Sequence, residues 1–134
     1  MQIIHKCVGD QLSNWPLACE NFRALKNVDI RTMEIGGLEV KIQHNPARII
    51  SSAAKTDSAS LKQRKCFLCA ENRPAEQIFI PFEGRKGKKY EILVNPYPIF
   101  PDHLVIALAS HQDQAIWNRY VDILDLAKKH PDFT

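Results

Sequence analysis

Apolar residues recur at helical spacing near both ends of this 134-residue chain. The first pattern follows a proline, which suits the opening turn of a helix, and it predicts a short helix at residues 14–25. The second pattern is a wider apolar stripe. It predicts an amphipathic helix over residues 112–130, with the aromatic side chains of Trp117 and Tyr120 in the core.

Between these helices the spacing of apolar residues changes to that of strands. Leu38, Val40 and Ile42 alternate with polar residues just after a Gly-Gly pair, which predicts a hairpin over residues 28–46. Further short apolar runs predict strands at residues 77–82, 90–97 and 103–108. The last run is almost continuously apolar, which favours a strand covered on both faces.

The order of these elements predicts the fold class. Strands that cluster without regular strand–helix alternation favour an α+β domain, with a largely antiparallel sheet flanked by helices. The length fits one domain over residues 1–134. Residues 51–65 contain almost no large apolar side chains, so we predict a mobile loop there.

Composition narrows the function only slightly. With 45% hydrophobic and 25% charged residues the chain is ordinary for a globular protein, and its net charge of +3 is too small to indicate nucleic-acid binding. No apolar run approaches the ~20 residues that span a membrane, and the N-terminus lacks the features of a secretory signal. We therefore predict a cytoplasmic protein with reduced cysteines, no nucleic-acid partner and no membrane association.

Cys66 and Cys69 stand out because two thiolates at this spacing can bind one metal ion from a tight turn. His111 directly follows the last predicted strand and is the best candidate for a third ligand. His103 opens the same strand about 26 Å away, so one ion cannot contact both histidines. Two alternatives stay open: ordinary structural thiols beside a helix-capping His111, and a redox pair.

Three segments resemble the histidine-triad superfamily, in its galactose-1-phosphate uridylyltransferase branch, which also takes in nucleotide-sugar and diadenosine tetraphosphate phosphorylases. The segments are "YEILVNPYPIFPDHLVIALASH" (90–111), "HNPARIISSAAK" (44–55) and "CFLCAENRP" (66–74). The resemblance covers residues 40–112, and the first segment is its most specific part.

The resemblance implies roles for seven residues. It implies a structural zinc ion on Cys66, Cys69 and His111, with a fourth ligand that this sequence does not supply. The residues that it places at a bound nucleotide or nucleotide sugar are Asn95, His103, Arg48 and Asn45. A guanidinium such as that of Arg48 suits phosphate oxygens.

The sequence differs from this superfamily in one respect that bears on catalysis. Relatives of this kind attack a nucleotide phosphate with the histidine of a His-x-His motif, on a strand after the last helix, and this sequence contains no such motif. We therefore expect the N-terminal portion of a nucleotidyltransferase or phosphorylase, which lacks the final catalytic strand and is inactive alone. The alternative is a noncatalytic zinc module that binds a nucleotide or protein partner, with an exposed sheet edge that favours a homodimer.

Overall fold

The computed structural model describes residues 2–131, in which helices accompany two small antiparallel sheets. The α+β class predicted from the sequence is confirmed. The helices are α1 (Gln2–Asn14), α2 (Pro16–Ala24), α3 (Ile49–Ser52), α4 (Ser58–Gln63) and α5 (Tyr120–Lys129). The strands are β1 (Asp29–Ile35), β2 (Leu38–His44), β3 (Ile80–Glu83), β4 (Lys89–Val94) and β5 (Leu104–Leu108).

Helix α1 forms in a region for which the patterns above predict no element. Ile4 and Val8 repeat at a four-residue spacing, are buried, and join Trp15 and Ala18 of the following segment in one hydrophobic core. A polar residue, Gln11, is buried on the same helix because its Oε1 accepts the N–H of Ile78. The described helices include none with the length and apolar character needed to cross a bilayer.

The predicted hairpin is confirmed as β1 and β2, paired in register from Asp29↔His44 to Ile35↔Leu38. Gly36 and Gly37 both have positive φ, at 60° and 81°, which are the values that a two-residue hairpin turn of type I′ requires. Most hairpin side chains are exposed, so this sheet stands apart from the main core.

The second sheet has the order β3-β4-β5, and it carries both candidate sites. β4 is the central strand, and its residues Tyr90–Val94 are all buried. β5 lies at the edge, where Ile106 remains 37% exposed. The expectation that β5 is covered on both faces is therefore wrong. A continuous apolar run does not distinguish a central strand from an edge strand beside a groove.

The last helix is shorter than predicted, because α5 begins at Tyr120 and residues 111–116 have no regular structure. The prediction that Trp117 and Tyr120 are core residues is also wrong, since they are 91% and 53% exposed. The face that packs inward instead carries Leu126 and a carboxylate, Asp122, each less than a tenth exposed.

Asp122 is tolerated in the interior because three donors surround it. The backbone N–H of Arg85, the Tyr90 hydroxyl and Lys88 Nζ donate to its two oxygens at 2.7, 2.7 and 3.1 Å. These bonds, that of Arg85 first, hold the pKa of Asp122 at about 2. Burial, followed by the bond to this carboxylate, raises the pKa of Tyr90 to about 12. The β3–β4 turn is thereby fixed to α5.

The segment predicted as a loop is partly helical. Residues 51–52 end α3, and α4 spans Ser58–Gln63, where the Asp57 side chain caps the helix by accepting the N–H of Ser60. The loop prediction for residues 51–65 is thus wrong in these short helices, whereas the mobility of the segment stays a prediction. The sequence pattern missed α4 because this helix has no buried side chain.

Gly84 offers a test of how closely α5 packs on the β3–β4 turn. A methyl group there would lie 2.7 Å from the Tyr90 ring and 2.8 Å from Asp122 Cγ. We expect Gly84→Ala to lower the free energy of unfolding by about 1–3 kcal/mol, measured by urea denaturation. The matched control is Gly9→Ala in α1, where nothing lies within 4 Å of the added methyl, and it should raise stability by about 0.5–1 kcal/mol. Equal stability of Gly84→Ala and the parent chain would contradict this packing.

Candidate functional site

The Cys-x2-Cys segment folds into a tight turn. The Cys69 N–H donates to the Cys66 carbonyl at 3.2 Å, which closes the turn. Asn72 lies in the 3₁₀ turn that follows, and its Nδ2 donates to the same carbonyl at 3.0 Å. Two hydrogen bonds to one carbonyl therefore define how the two thiols are presented.

His111 contacts this turn although it lies 42 residues after Cys69 in the sequence. It lies three residues after the end of β5, and its Nδ1 is 3.2 Å from the Cys69 sulfur. The possible ligand atoms of Cys66, Cys69 and His111 all lie within 4.8 Å of one another. The three residues proposed from the sequence are thus brought together, and we call them the Cys–His cluster.

The two thiols differ in their tendency to ionise. Burial alone would raise the pKa of Cys66, but hydrogen bonds from the Leu68 backbone, Cys69 and His111 outweigh it and lower the pKa. For Cys69, burial and then the adjacent Cys66 raise the pKa. One thiolate therefore forms before the other, as expected when two like charges share a site.

This donor set can hold a metal ion. Two sulfurs and one imidazole are the ligands that bind thiophilic divalent metals, and their spacing is compatible with one shared ion. Within residues 2–131 no fourth histidine, cysteine or carboxylate joins the cluster. The described part of the chain therefore supplies three possible ligands for such an ion.

An ion pair that the sequence analysis missed fixes the cluster to the sheet. Arg73, just after the 3₁₀ turn, bonds through its guanidinium to Glu91 in the middle of β4, and both side chains are largely buried. A charged residue within the apolar run "YEILV" was the available signal, because a buried carboxylate needs a partner. Sequence alone did not identify Arg73 as that partner.

Asn95 and His103 meet at the opposite end of the β4–β5 pair. The Asn95 N–H donates to the His103 carbonyl at 3.1 Å, which extends the antiparallel ladder beyond Val94. Because the two residues are opposite one another, Asn95 Nδ2 comes to 3.5 Å from His103 Nε2.

The surrounding hydrogen bonds determine which atoms are donors. His103 Nδ1 accepts the backbone N–H of Ile99 at 3.1 Å, so the proton of the neutral ring lies on Nε2. Asn95 Oδ1 accepts the backbone N–H of Tyr97 at 2.9 Å, so the amide group turned towards His103 is the NH₂. Two donors therefore face each other, and neither accepts from the other.

Arg48 adds positive charge beside this pair. Burial, followed by the charge of Arg48, lowers the pKa of His103, so the field of the guanidinium reaches the ring. Arg48 Nε is buried and has no hydrogen-bond partner. Asn45 shapes the turn that carries Arg48, because its side chain accepts the Ala47 N–H and its carbonyl accepts the Arg48 N–H.

The four residues proposed for nucleotide binding therefore separate into two groups. Asn95, His103 and Arg48 form a cluster of donors, which we call the donor cluster. Asn45 supports this cluster through the backbone. An apolar groove of ≈ 360 Å³ begins at His103 and runs between β5 and α5. Its walls include Phe100, Ile106 and Leu126.

The fold is α+β, and two clusters of polar side chains lie at the ends of the β4–β5 pair. The Cys–His cluster, which could hold a metal ion, lies at one end, and the donor cluster lies at the other. A family model described as "Domain of unknown function (DUF4922)" matches residues 7–134, so the chain belongs to that family. No curated protein and no solved structure matches the chain.

The protonation of His103 is directly measurable. Because burial and Arg48 both disfavour the charged ring, we expect His103 to titrate below the ordinary histidine value of about 6.5 in an NMR pH titration. A lowered pKa in the folded state means that the associated stability is present above about 6.5 and is lost as the pH falls through the folded-state pKa. Arg48→Gln should raise the pKa of His103, and Arg31→Gln on the exposed hairpin should leave it unchanged. A value at or above 6.5 in the parent chain would contradict this prediction.

Proposed function

We propose that this protein binds the phosphate groups of a nucleotide or nucleotide sugar at the donor cluster, as the N-terminal portion of a nucleotidyltransferase or phosphorylase. The observation that supports this proposal is the pair of opposed donors, Asn95 Nδ2 and His103 Nε2, at 3.5 Å. Two donors at that distance repel unless a shared acceptor lies between or beside them. A phosphate oxygen is such an acceptor, and its charge suits that of Arg48, whose field reaches His103.

A neutral His103 fits binding better than catalysis. Its Nδ1 is occupied by the N–H of Ile99, so the ring donates from Nε2 and cannot readily take up a second proton. Asn95 has one preferred orientation for the same reason. These residues therefore orient a phosphate group. No histidine in a His-x-His motif is present to attack it, so we propose that the chain alone does not turn over substrate.

Binding of UDP-glucose, measured by isothermal titration calorimetry, tests this function. We expect UDP-glucose and inorganic pyrophosphate to bind and uridine to bind much more weakly, because uridine lacks phosphate. Arg48→Gln removes charge-assisted hydrogen bonds worth about 1.5–3 kcal/mol, so affinity should fall about 10- to 100-fold. Arg31→Gln, an exposed arginine of the hairpin, is the matched control and should bind as the parent does. Equal affinity for uridine and UDP-glucose, or full affinity in Arg48→Gln, would contradict the proposal.

We further propose that the Cys–His cluster holds a structural zinc ion. Zinc prefers thiolate and imidazole ligands and binds Cys-x2-Cys turns in many small domains. The ion would connect the turn after α4 to the segment after β5 and would perform no chemistry on a substrate. We also propose a reducing, cytoplasmic setting, in which the four free cysteines remain thiols.

A second candidate function is a noncatalytic zinc module that pairs with another copy of itself. Among residues 2–131 no strand pairs with the outer edge of β5, where the backbone groups of Leu104, Ile106 and Leu108 point away from β4. An aliphatic strand with an open edge favours pairing with another strand. This candidate predicts zinc binding and a dimer in solution without nucleotide binding.

Elemental analysis of the reduced, purified chain tests the zinc proposal. We expect one zinc ion per chain, with near-complete loss in Cys66→Ser because a single thiolate and one imidazole bind weakly. Cys19→Ser, which leaves the cluster intact, should retain the metal and is the matched control. A parent chain without zinc, or a Cys66→Ser variant that keeps it, would exclude this centre. Light scattering of the same samples reports whether the 15.3 kDa chain forms the dimer of the second candidate.

A further inference from the structure

The turn that carries the two thiols suits a disulfide as well as a metal ion. The Cys69 N–H donates to the Cys66 carbonyl, and the two sulfurs lie within 4.8 Å of each other. Turns of this kind bring their first and fourth Cα atoms within about 7 Å, and disulfides join Cα atoms about 4.4–6.8 Å apart. Only a small movement therefore separates a shared ion from a bond between the sulfurs.

The cluster is also open to small solutes. Cys66 and Cys69 are partly exposed and His111 is exposed. Among residues 2–131 no fourth cysteine, histidine or carboxylate joins the three, so no fourth protein ligand covers the cluster. A small oxidant can therefore reach the partly exposed sulfurs, which four protein ligands would shield.

The two sides of the cluster are anchored differently. The Cys66–Asn72 turn is held by the bond from Asn72 to Cys66, and the ion pair of Arg73 with Glu91 fixes it to β4 independently of any metal. The segment at residues 109–119 contains no helix or strand, and the contact of His111 with Cys69 joins it to the turn.

The ends of the segment are held elsewhere, because the Ala109 N–H donates to the Lys89 carbonyl and Lys88 Nζ donates to the Asn118 carbonyl. Arg119 also bonds to Gln112 and to the carbonyls of Asp113 and Ala115. Loss of the cluster would therefore leave the turn in place and detach residues 110–117 from it.

We propose that the Cys–His cluster is a redox-sensitive clamp, in which oxidation of Cys66 and Cys69 to a disulfide expels the metal and detaches residues 110–117 from the turn. This inference rests on the proposed zinc centre and names hydrogen peroxide as the oxidant. One thiolate attacks peroxide, the O–O bond breaks, and a sulfenic acid and hydroxide form. The second thiolate attacks that sulfur, the S–S bond forms, and a second hydroxide leaves. Two electrons pass from the sulfurs to peroxide, and zinc leaves as the aqueous dication. A dithiol reductant reduces the disulfide and restores the two thiols.

The test begins with the zinc-loaded, reduced chain. Stoichiometric peroxide should release one zinc ion per chain, measured with a chromogenic chelator, and mass spectrometry should show a disulfide between Cys66 and Cys69. Hydrogen exchange of peptides that cover residues 110–117 should become several-fold faster, and peptides of β4 should not change. Dithiothreitol with added zinc should restore both the metal content and the slow exchange.

Matched variants separate the possible outcomes. A Cys7→Ser/Cys19→Ser double variant keeps the cluster and should respond as the parent does. Retention of zinc under peroxide, sulfinic acids instead of a disulfide, or unchanged exchange at residues 110–117 would overturn the clamp and leave the zinc centre standing. A reduced chain that binds no zinc would instead overturn the proposed centre and the clamp with it.

Discussion

Both candidate sites depend on the complete enclosure of one strand. β4 is paired on both edges, and its residues from Tyr90 to Val94 are buried. Alternate side chains point to opposite faces, so Ile92 and Val94 enter the core formed with α1, α2 and α5, whereas Glu91 meets Arg73 on the other face. A strand held on four sides cannot shift in register without breaking all of these contacts. The positions of Asn95 at one end and of His111 after the paired β5 follow from that register.

The second structural constraint is the buried Asp122. Its bonds to Tyr90, the Arg85 N–H and Lys88 fix α5 against the β3–β4 turn, and this position of α5 forms one wall of the groove beside His103. A buried carboxylate is a costly residue to retain unless every lone pair has a donor. Here the donors come from three residues within six positions of the chain, so the carboxylate specifies one packing arrangement of helix on sheet.

Local patterns predicted the parts of the structure that depend on local interactions. The hairpin follows from alternation around Gly36 and Gly37, and the grouping of Cys66 with Cys69 follows from the spacing of a turn. Patterns failed where distant contacts decide the outcome. Trp117 and Tyr120 fall on an apolar stripe but are exposed, because Trp117 lies before the start of α5 and the bond of Asp122 to Tyr90 in β4 turns a different face of the helix inward. Helix α1 was not predicted because its buried face includes the polar Gln11, whose hydrogen-bond partner Ile78 lies 67 residues away in the sequence.

The donor cluster illustrates how a fold can hold side chains in an arrangement that they would not adopt alone. Opposed donors are unfavourable in isolation, and free side chains would rotate to avoid them. Asn95 and His103 cannot do so without losing bonds to the backbone N–H groups of Tyr97 and Ile99. The strain is therefore held by the turn between β4 and β5, and an acceptor that relieves it gains affinity without the cost of ordering these side chains. This arrangement distinguishes the donor cluster from the Cys–His cluster, whose side chains could share a metal ion and, in our proposal, form a sulfur–sulfur bond on oxidation.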